Sequence, residues 1–231
     1  MLRLTIKNLA ANRIRLALTT FAVVLAVSFV VSSFVLTDGL RSSFGDLSED
    51  IVAGTDLELR PVDEFGQAEL LPEPLLDEVA AIDGVAVAAP VVIAEDSIRP
   101  INGDGEEIPT NGPPQIAFGW VDEPRLSTFT VVEGASPQVG EFTIDLDAAA
   151  NHGFAVGETY DIITPTGRTA LTLSGLTSFG ENNDTLGATL MQFDIDQLQE
   201  LVDEQGYNSV AVALATGADR ATVQNQMAAL A

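Results

Sequence analysis

The sequence predicts a membrane-anchored α+β protein, with one N-terminal transmembrane helix followed by a mixed α+β domain outside the cytoplasm. Three observations predict this class. Leu16 to Thr37 form a run of 22 residues without a charge, short apolar segments separated by Gly and Pro follow it, and only a few later segments have helical spacing. The run predicts the membrane helix, and the later pattern predicts more strand than helix.

The charge-free run is long enough to cross a bilayer. At 1.5 Å per residue it reaches about 33 Å, against a hydrocarbon core of about 30 Å. A cleaved signal peptide is the alternative, with Val31-Ser32-Ser33 as the nearest cleavage site. Signal peptides have apolar regions of only about 7 to 15 residues, so the length favours an uncleaved anchor. A buried helix of a small core is disfavoured because the run has no polar face.

Basic residues before the run predict its direction. Arg3, Lys7, Arg13 and Arg15 precede it, and such residues collect on the cytoplasmic side of a first span. The protein should therefore lie in the cell (plasma) membrane, with its N-terminus in the cytoplasm and its main domain outside the cytoplasm. The predicted segments are a cytoplasmic amphipathic segment (1–15), the transmembrane helix (16–37), a stalk (38–54), the α+β core domain (55–218) and the start of a helix leading toward a second span (219–231).

The exterior is strongly acidic. The chain has 34 acidic and 10 basic residues, and four of the basic ones precede the run, so the exterior carries a formal charge of −28. This charge disfavours nucleic acid and anionic lipid headgroups as partners of the domain. The chain has no cysteine, which excludes disulfides, thiolate metal sites and cysteine catalysis.

The first half of the exterior shows strands, a helix and a long loop. Alternation predicts a strand that Pro61 ends, and leucine and valine spacing predicts a helix stopped by Asp83-Gly84. A continuous apolar run predicts a buried strand interrupted by Pro90. The predicted elements are strand 55–60, helix 72–82, strand 85–94 and loop 101–114.

The second half repeats this mixture. Asp194 should cap a helix, with Gln197 completing a capping box and Gly206 just past the end, and Asp219 should open a closing helix. Pro165-Thr166-Gly167 marks a hairpin turn. The remaining predicted elements are strand 115–121, strand 142–144, helix 145–152, strands 160–164 and 169–176, strand 188–193 and strand 208–214.

Catalytic residues are scarce, and the sequence predicts no enzyme and no catalytic site. A nucleotide-binding P-loop needs a lysine after its glycines, and no lysine follows Lys7. His152 is the only histidine, and no G-x-S-x-G motif accompanies it. We therefore expect His152 to be a surface or helix-capping residue.

Two oxygen-rich loops raise the question of calcium. One contains Asn102, Asp104, Glu106 and Glu107, and the other contains Glu181, Asn182, Asn183 and Asp184. Neither has the 12-residue ligand spacing of a calcium loop, so solvated loops are the expectation, with no metal and no cofactor. Phe118 and Trp120 lie on a predicted strand and are expected in the core.

The order of these segments resembles the FtsX-like permeases of ABC transporters with a MacB-type periplasmic core domain. Arg13, Arg15 and Leu18-Thr19 resemble the family's R-x-R-x-x-LT pattern before its first span. PLLDEVAAIDGVAVAAPVV is similar to its helix, glycine turn and strand. Gly119, Asp122 and Gly134 resemble its next element, and GEFTIDLDAAANHGFAVGETYDIITPTGRTALTLSGL is similar to its most recognisable stretch. The resemblance covers essentially the whole chain.

The resemblance implies a permease subunit that dimerises with itself or with another permease subunit and pairs with a separate ABC ATPase. Cytoplasmic ATP hydrolysis by that partner would be coupled to substrate or protein handling outside. Family members continue into three more spans, so the gene is expected to continue beyond Ala231. The alternative is a single-pass, membrane-anchored surface binding module, for example a calcium-dependent one, without an ATPase partner. An extracellular hydrolase using His152 is a third and weaker alternative.

Overall fold

The computed structural model describes residues 14, 18, 20–25, 27–32 and 34 near the N-terminus, and residues 54–61, 69–108, 113–180, 183, 185 and 187–230 of the remainder. The chain divides into two compact units, Met1–Leu47 and Ser48–Ala231. Most of the predicted cytoplasmic segment and nearly all of the predicted stalk lie outside the described residues.

The described part of the first unit is helical and apolar. Its large side chains are exposed, and Phe21, Phe29 and Phe34 present 61%, 74% and 72% of their surface. Among the residues described, no helix has the length and apolarity needed to cross a membrane.

The second unit is a mixed α+β domain, as predicted. Its described residues form four helices, α1 (Pro74–Ala80), α2 (Leu146–His152), α3 (Ile195–Val202) and α4 (Arg220–Met227). They also form eleven strands, namely β1 (Leu57–Leu59), β2 (Val85–Val91), β3 (Ile93–Glu95), β4 (Arg99–Pro100), β5 (Gln115–Gly119), β6 (Phe129–Gly134), β7 (Glu141–Asp145), β8 (Thr159–Thr164), β9 (Gly167–Phe179), β10 (Thr189–Phe193) and β11 (Ser209–Leu214).

The strands form two sheets. Three antiparallel strands in the order β1-β11-β2 make the sheet of a small lobe, which comprises the described residues within 54–91 and 207–230. Eight strands make the sheet of a large lobe, the described residues within 93–206, in the order β3-β5-β10-β7-β9-β8-β4 with β6 on β9. The large lobe is thus inserted between β2 and β11.

Each lobe has its own apolar core. In the small lobe, Leu57 and Leu59 of β1 lie opposite Val212 and Val210 of β11, and these side chains pack with residues of α1 and α4. In the large lobe, Phe142 and Phe193 pack with residues of α2 and α3. Helices therefore cover one face of each sheet, the usual layered solution for burying an apolar face.

Proline does not interrupt the strand after the first helix, contrary to the sequence prediction. Pro90 lies within β2, paired with Val210, and the break falls at Val92, between β2 and β3. Since β2 is an edge strand of its sheet, a residue without an N–H can occupy it without losing a ladder hydrogen bond. The edge position also leaves β2 half-buried instead of fully buried.

The capping box predicted for α3 forms on one side only. Asp194 caps the helix by accepting a hydrogen bond from the Gln197 N–H at 3.1 Å. The Gln197 side chain, however, turns to the large sheet, where it accepts from the Gly140 N–H and donates to the Glu141 carbonyl. The left-handed residue that ends α3 is Asp203 (φ 57°), three residues before the predicted Gly206.

The sequence analysis does not predict strand β6, because β6 forms by pairing with β9, which is distant in the sequence.

Removing the Asp194 cap should weaken the large lobe measurably. Asp194→Ala is expected to cost about 1 kcal/mol in the free energy of unfolding, since the Gln197 N–H loses its acceptor. Asp196→Ala is the matched control, because Asp196 is exposed in the first turn of the same helix and should cost less than about 0.5 kcal/mol at moderate salt. Urea unfolding followed by circular dichroism measures both, and equal losses would contradict the assigned cap.

Candidate functional site

The chain passes between the two lobes at two adjacent points. One is Val92, between β2 and β3, and the other is Asn208, just before β11. The Asn208 backbone N–H donates to the Val91 carbonyl at 2.9 Å, and its side-chain oxygen accepts from the Ile93 N–H at 2.7 Å. Asn208 therefore ties the outgoing and returning segments into one hydrogen-bonded crossing.

A cleft of about 320 Å³ lies beside this crossing. Its walls come from both lobes: Glu58, Arg60 and Ser209 line it from the small lobe, and Phe118, Thr128 and Phe129 from the large lobe. Val91, Val92 and Asn208 of the crossing complete it. A mostly apolar hollow with a few polar groups is the usual composition of a ligand site.

The polar wall contains a connected set of three side chains. The Ser209 hydroxyl donates to Glu58 Oε1 at 2.5 Å, and Arg60 Nη2 lies 2.7 Å from Glu58 Oε2. The hydrogen bond with Glu58 raises the pKa of Arg60 above its ordinary value. The Glu58 side chain is mostly buried, whereas the Arg60 side chain is 67% exposed. The cleft thus presents a satisfied carboxylate with a cation at its rim.

The large-lobe side of the cleft includes two aromatic rings, Phe118 and Phe129, and Phe179 packs behind them. The rings of Phe118 and Phe129 lie 5.0 Å apart, and the ring of Phe179 lies 5.6 Å from that of Phe129, both pairs tilted. Such tilted contacts favour a fixed arrangement of the rings. Phe118 is buried as predicted, but it also lines the cleft. The prediction that Trp120 lies on a strand in the core is wrong, because Trp120 follows β5 and is only half-buried, with its indole N–H donating to Asp122 at 2.6 Å.

A buried carboxylate lies in the large sheet, where it does not line the cleft. Asp145 is fully buried and accepts hydrogen bonds from the Ala148 and Leu190 N–H groups, both at 2.8 Å. Burial raises its pKa to about 6, although the two hydrogen bonds act in the opposite direction. The carboxylate joins the start of α2 to strand β10, which is a structural role.

His152 is the last residue of α2, and Gly153 (φ 70°) ends that helix in the left-handed conformation. A histidine there can interact favourably with the negative end of the helix dipole. The cap position itself is Gly153, and His152 lies half-buried one residue before it. Its side chain does not line the cleft.

In the first acidic loop, side-chain oxygens of Asn102 and Glu107 bind nearby protein groups. The Asn102 side chain accepts from the Asp104 and Glu106 N–H groups at 3.1 and 2.9 Å, and Glu107 lies 3.1 Å from Arg99. Within the described residues, no group of three His, Cys, Asp or Glu side chains could hold a metal ion. Of the second acidic loop only Asn183 is described, and it accepts from the Phe179 N–H at 3.0 Å. Glu181, Asn182 and Asp184 lie outside the described residues.

The cleft residues were not singled out from the sequence. Glu58 carries the best signal, because it is the polar residue between Leu57 and Leu59 and therefore points away from the small-lobe core. Asn208 precedes an apolar strand, where an asparagine is typical of an ordinary turn or loop residue. Their proximity depends on the pairing of β1, β2 and β11, which joins residues 115 or more positions apart.

Comparison with known proteins gives a consistent result. The family model of the MacB-like periplasmic core domain matches residues 16–230. This match confirms the resemblance drawn from the order of the sequence segments. No curated protein is detectably similar to the chain in sequence.

Two solved structures share the fold. The periplasmic region of MacB from Actinobacillus actinomycetemcomitans superposes with a TM-score of 0.57 at 9% identity, covering 77% of this chain and 84% of that one. The extracellular domain of the noncanonic ABC-type transporter YknZ from Gram-positive bacteria gives a TM-score of 0.55 at 12% identity, covering 74% of this chain and 89% of that one. At such low identity these matches establish the fold alone.

Proposed function

Because the chain belongs to the family of MacB-like periplasmic core domains, we propose that it is a permease subunit of an ABC-type transporter complex. In this proposal a separate cytoplasmic ATPase supplies the energy. The α+β domain receives the resulting motion outside the membrane and uses it to handle a substrate or a protein partner. The subunit pairs with a second permease subunit, either its own copy or a related one.

The observation that carries this proposal is the extent of the family match. The match begins at residue 16, the first residue of the charge-free run, and continues to residue 230. The apolar run and the α+β domain therefore belong to one family unit. The two structural neighbours are described as the periplasmic region of MacB and the extracellular domain of an ABC-type transporter.

We also propose that residues 16–37 anchor the protein in the membrane. The helical residues in this stretch expose large apolar side chains, and Leu18, Leu25 and Val31 present 63%, 54% and 54% of their surface. A helix that is apolar all round and exposed is unfavourable in water and favourable in hydrocarbon. The basic residues before it favour a cytoplasmic N-terminus, since such residues collect on the cytoplasmic side of a first span.

The domain itself is proposed to be non-enzymatic. The ionisable groups of the cleft, Glu58 and Arg60, are paired with each other, and the chain's only histidine ends a helix and does not line the cleft. The chemical step of the complex therefore belongs to the ATPase partner. In this proposal the domain contributes a binding surface and a change of conformation.

Cysteine labelling tests the anchor and its direction, because the chain has no native cysteine. The variants are Asn8→Cys, before the run, and Glu78→Cys, exposed on α1. In intact protoplasts a membrane-impermeant maleimide should label only the Glu78→Cys protein, and both should be labelled after lysis. The protein should also stay with the membranes in an alkaline wash. Release by the wash, or labelling of Asn8→Cys in intact cells, would contradict the proposal.

Purification from the native host tests the ATPase partner. The tagged protein, extracted in mild detergent, should copurify with an ATP-hydrolysing subunit in a complex of defined mass. The control is the same chain without residues 1–37. Absence of ATP hydrolysis from the full-length preparation, or equal activity with the truncated control, would count against the coupling role.

A further inference from the structure

We propose that Arg125 of the large lobe, together with the segment Gly54 to Asp56 of the small lobe, forms a brace that sets the angle between the lobes. The brace passes movement of the chain preceding Gly54 directly to the large lobe. It deepens the proposed function, on which it depends only for the origin of that movement. The brace and the crossing at Asn208 are two separate links between the lobes, and the cleft lies beside both.

Main-chain contact forms the first part of the brace. Gly54 has a positive φ of 88°, and a Cβ added there would lie only 2.1 Å from the Arg125 carbonyl oxygen. Glycine is therefore required both by the backbone conformation and by the close approach of the large-lobe loop. Where the chain enters the small lobe, it already touches the large lobe.

Asp56 fixes this entering segment to β11. Its N–H donates to the Val212 carbonyl at 2.9 Å, and its Oδ2 accepts from the Leu214 N–H at 2.7 Å. The Arg125 Nη2 donates to the Leu214 carbonyl at 3.1 Å and lies 3.7 Å from Asp56 Oδ2. One guanidinium thus contacts the beginning of β1 and the end of β11 together.

The large-lobe loop that carries Arg125 is held by hydrogen bonds within the loop. The Leu126 and Ser127 N–H groups both donate to the Glu123 carbonyl, at 2.9 and 3.0 Å, which makes a tight turn. Leu126 then packs on Ala89, Ala211 and Ala213, on the face of the small sheet away from its helices. If Gly54 is displaced, it therefore pushes against a structured loop of the large lobe.

The apolar part of this contact resists sliding only weakly. The buried small-lobe residues of this contact are alanines, whose side chains end at Cβ, and the longer side chains of Val87 and Val91 pack beside them only half-buried. Close interdigitation is what fixes the relative position of packed surfaces. The polar contacts of Arg125 and the fit at Gly54 thus restrict the lobe angle at a second point, apart from the crossing at Asn208. Since the side chains of Arg125 and Asp56 are 49% and 41% exposed, their ion pair contributes little to global stability.

Distance measurements between spin labels test the brace in the full-length protein. The absence of native cysteine allows a label pair at Glu78→Cys in α1 and Glu158→Cys in the large lobe, both exposed. Arg125→Gln should widen the distance distribution about twofold, because more than one lobe angle becomes populated. Arg168→Gln is the matched control, since Arg168 pairs with Asp161 inside the large lobe and should leave the width unchanged.

Gly54→Ala tests the transmission. The substitution lies in the entering segment, yet the clash with the Arg125 carbonyl should shift or widen the inter-lobe distribution. Circular dichroism must show that each variant is folded, so that a purely structural loss is separated from a change of angle. Unchanged distributions in folded Arg125→Gln and Gly54→Ala proteins would overturn the brace.

The test requires neither ATP nor a partner. A widened distribution together with failure to find an ATPase would remove the proposed function and leave the brace standing. An unchanged distribution in a chain that does copurify with an ATPase would remove the brace alone.

Discussion

Replacement of Phe142 by alanine is expected to lower the free energy of unfolding by about 3 to 5 kcal/mol, the largest effect of any change considered. Phe142 is fully buried on β7, in the middle of the large sheet. Its ring stacks with Phe193 at 6.0 Å and meets Tyr160 edge-on at 6.3 Å. Alanine would remove both contacts and leave a cavity that the surrounding strands cannot fill.

Urea unfolding, followed by circular dichroism and by fluorescence of the single tryptophan, measures this loss. Val139→Ala is the control, because Val139 is 77% exposed and its truncation should change the free energy by no more than about 0.5 kcal/mol. A loss below about 1 kcal/mol for Phe142→Ala would mean that the core of the large lobe is loosely packed. Since domains are stable by about 5 to 15 kcal/mol, the expected loss is a large share of the total.

Asp145→Asn is expected to cost about 1 to 3 kcal/mol at neutral pH, the second largest effect. The carboxylate accepts hydrogen bonds from the Ala148 and Leu190 N–H groups, one on each oxygen. An asparagine side chain can accept only one of them and presents its own N–H₂ group to the other. The uncompensated donor is buried, so water cannot replace the lost partner.

The same carboxylate gives the protein a pH dependence of known sign. The pKa of Asp145 is raised to about 6, above the value of about 3.9 expected in the unfolded chain, mainly because of burial. Protonation therefore favours the folded state. This contribution to stability is fully present below about pH 4 and is lost as the pH rises through 6. Between pH 5 and pH 7 the loss should be on the order of 1 kcal/mol.

The asparagine variant isolates this effect from the rest of the acidic surface. Mild acidification also reduces general repulsion among the acidic residues, so the wild-type slope alone is ambiguous. The difference in unfolding free energy between wild type and Asp145→Asn should shrink as the pH rises from 5 to 7. Parallel pH profiles for the two proteins would show that Asp145 does not titrate in this range.

Local signals were sufficient to predict much of the large lobe. Strand 142–144 and helix 145–152 were predicted, and the structure has β7 at Glu141–Asp145 and α2 at Leu146–His152. Asp145 caps α2 and Gly153 ends it, so both helix ends depend on residues that are neighbours in the sequence. The cap at Asp194 was found in the same way. Both helix starts depend only on residues that are close together in the sequence, so the local sequence contains all the information needed to predict them.

Contacts between distant residues were beyond such signals. Strand β6 exists because its backbone pairs with the end of β9, more than forty positions later. Pro90 was taken for a break because nothing local reveals that β2 is an edge strand. The cleft needs Glu58 beside Ser209 and Val91 beside Asn208, and these pairs meet only after both sheets have formed.

The insertion of the large lobe between β2 and β11 makes it an exchangeable module. Its two ends, at Val91 and Asn208, are one hydrogen bond apart, so another insert with closely spaced ends could be grafted there without redirecting the small lobe. A graft would have to supply its own cover for the alanine face that Leu126 now protects. Under that condition, the large lobe could diversify while the small lobe stayed unchanged.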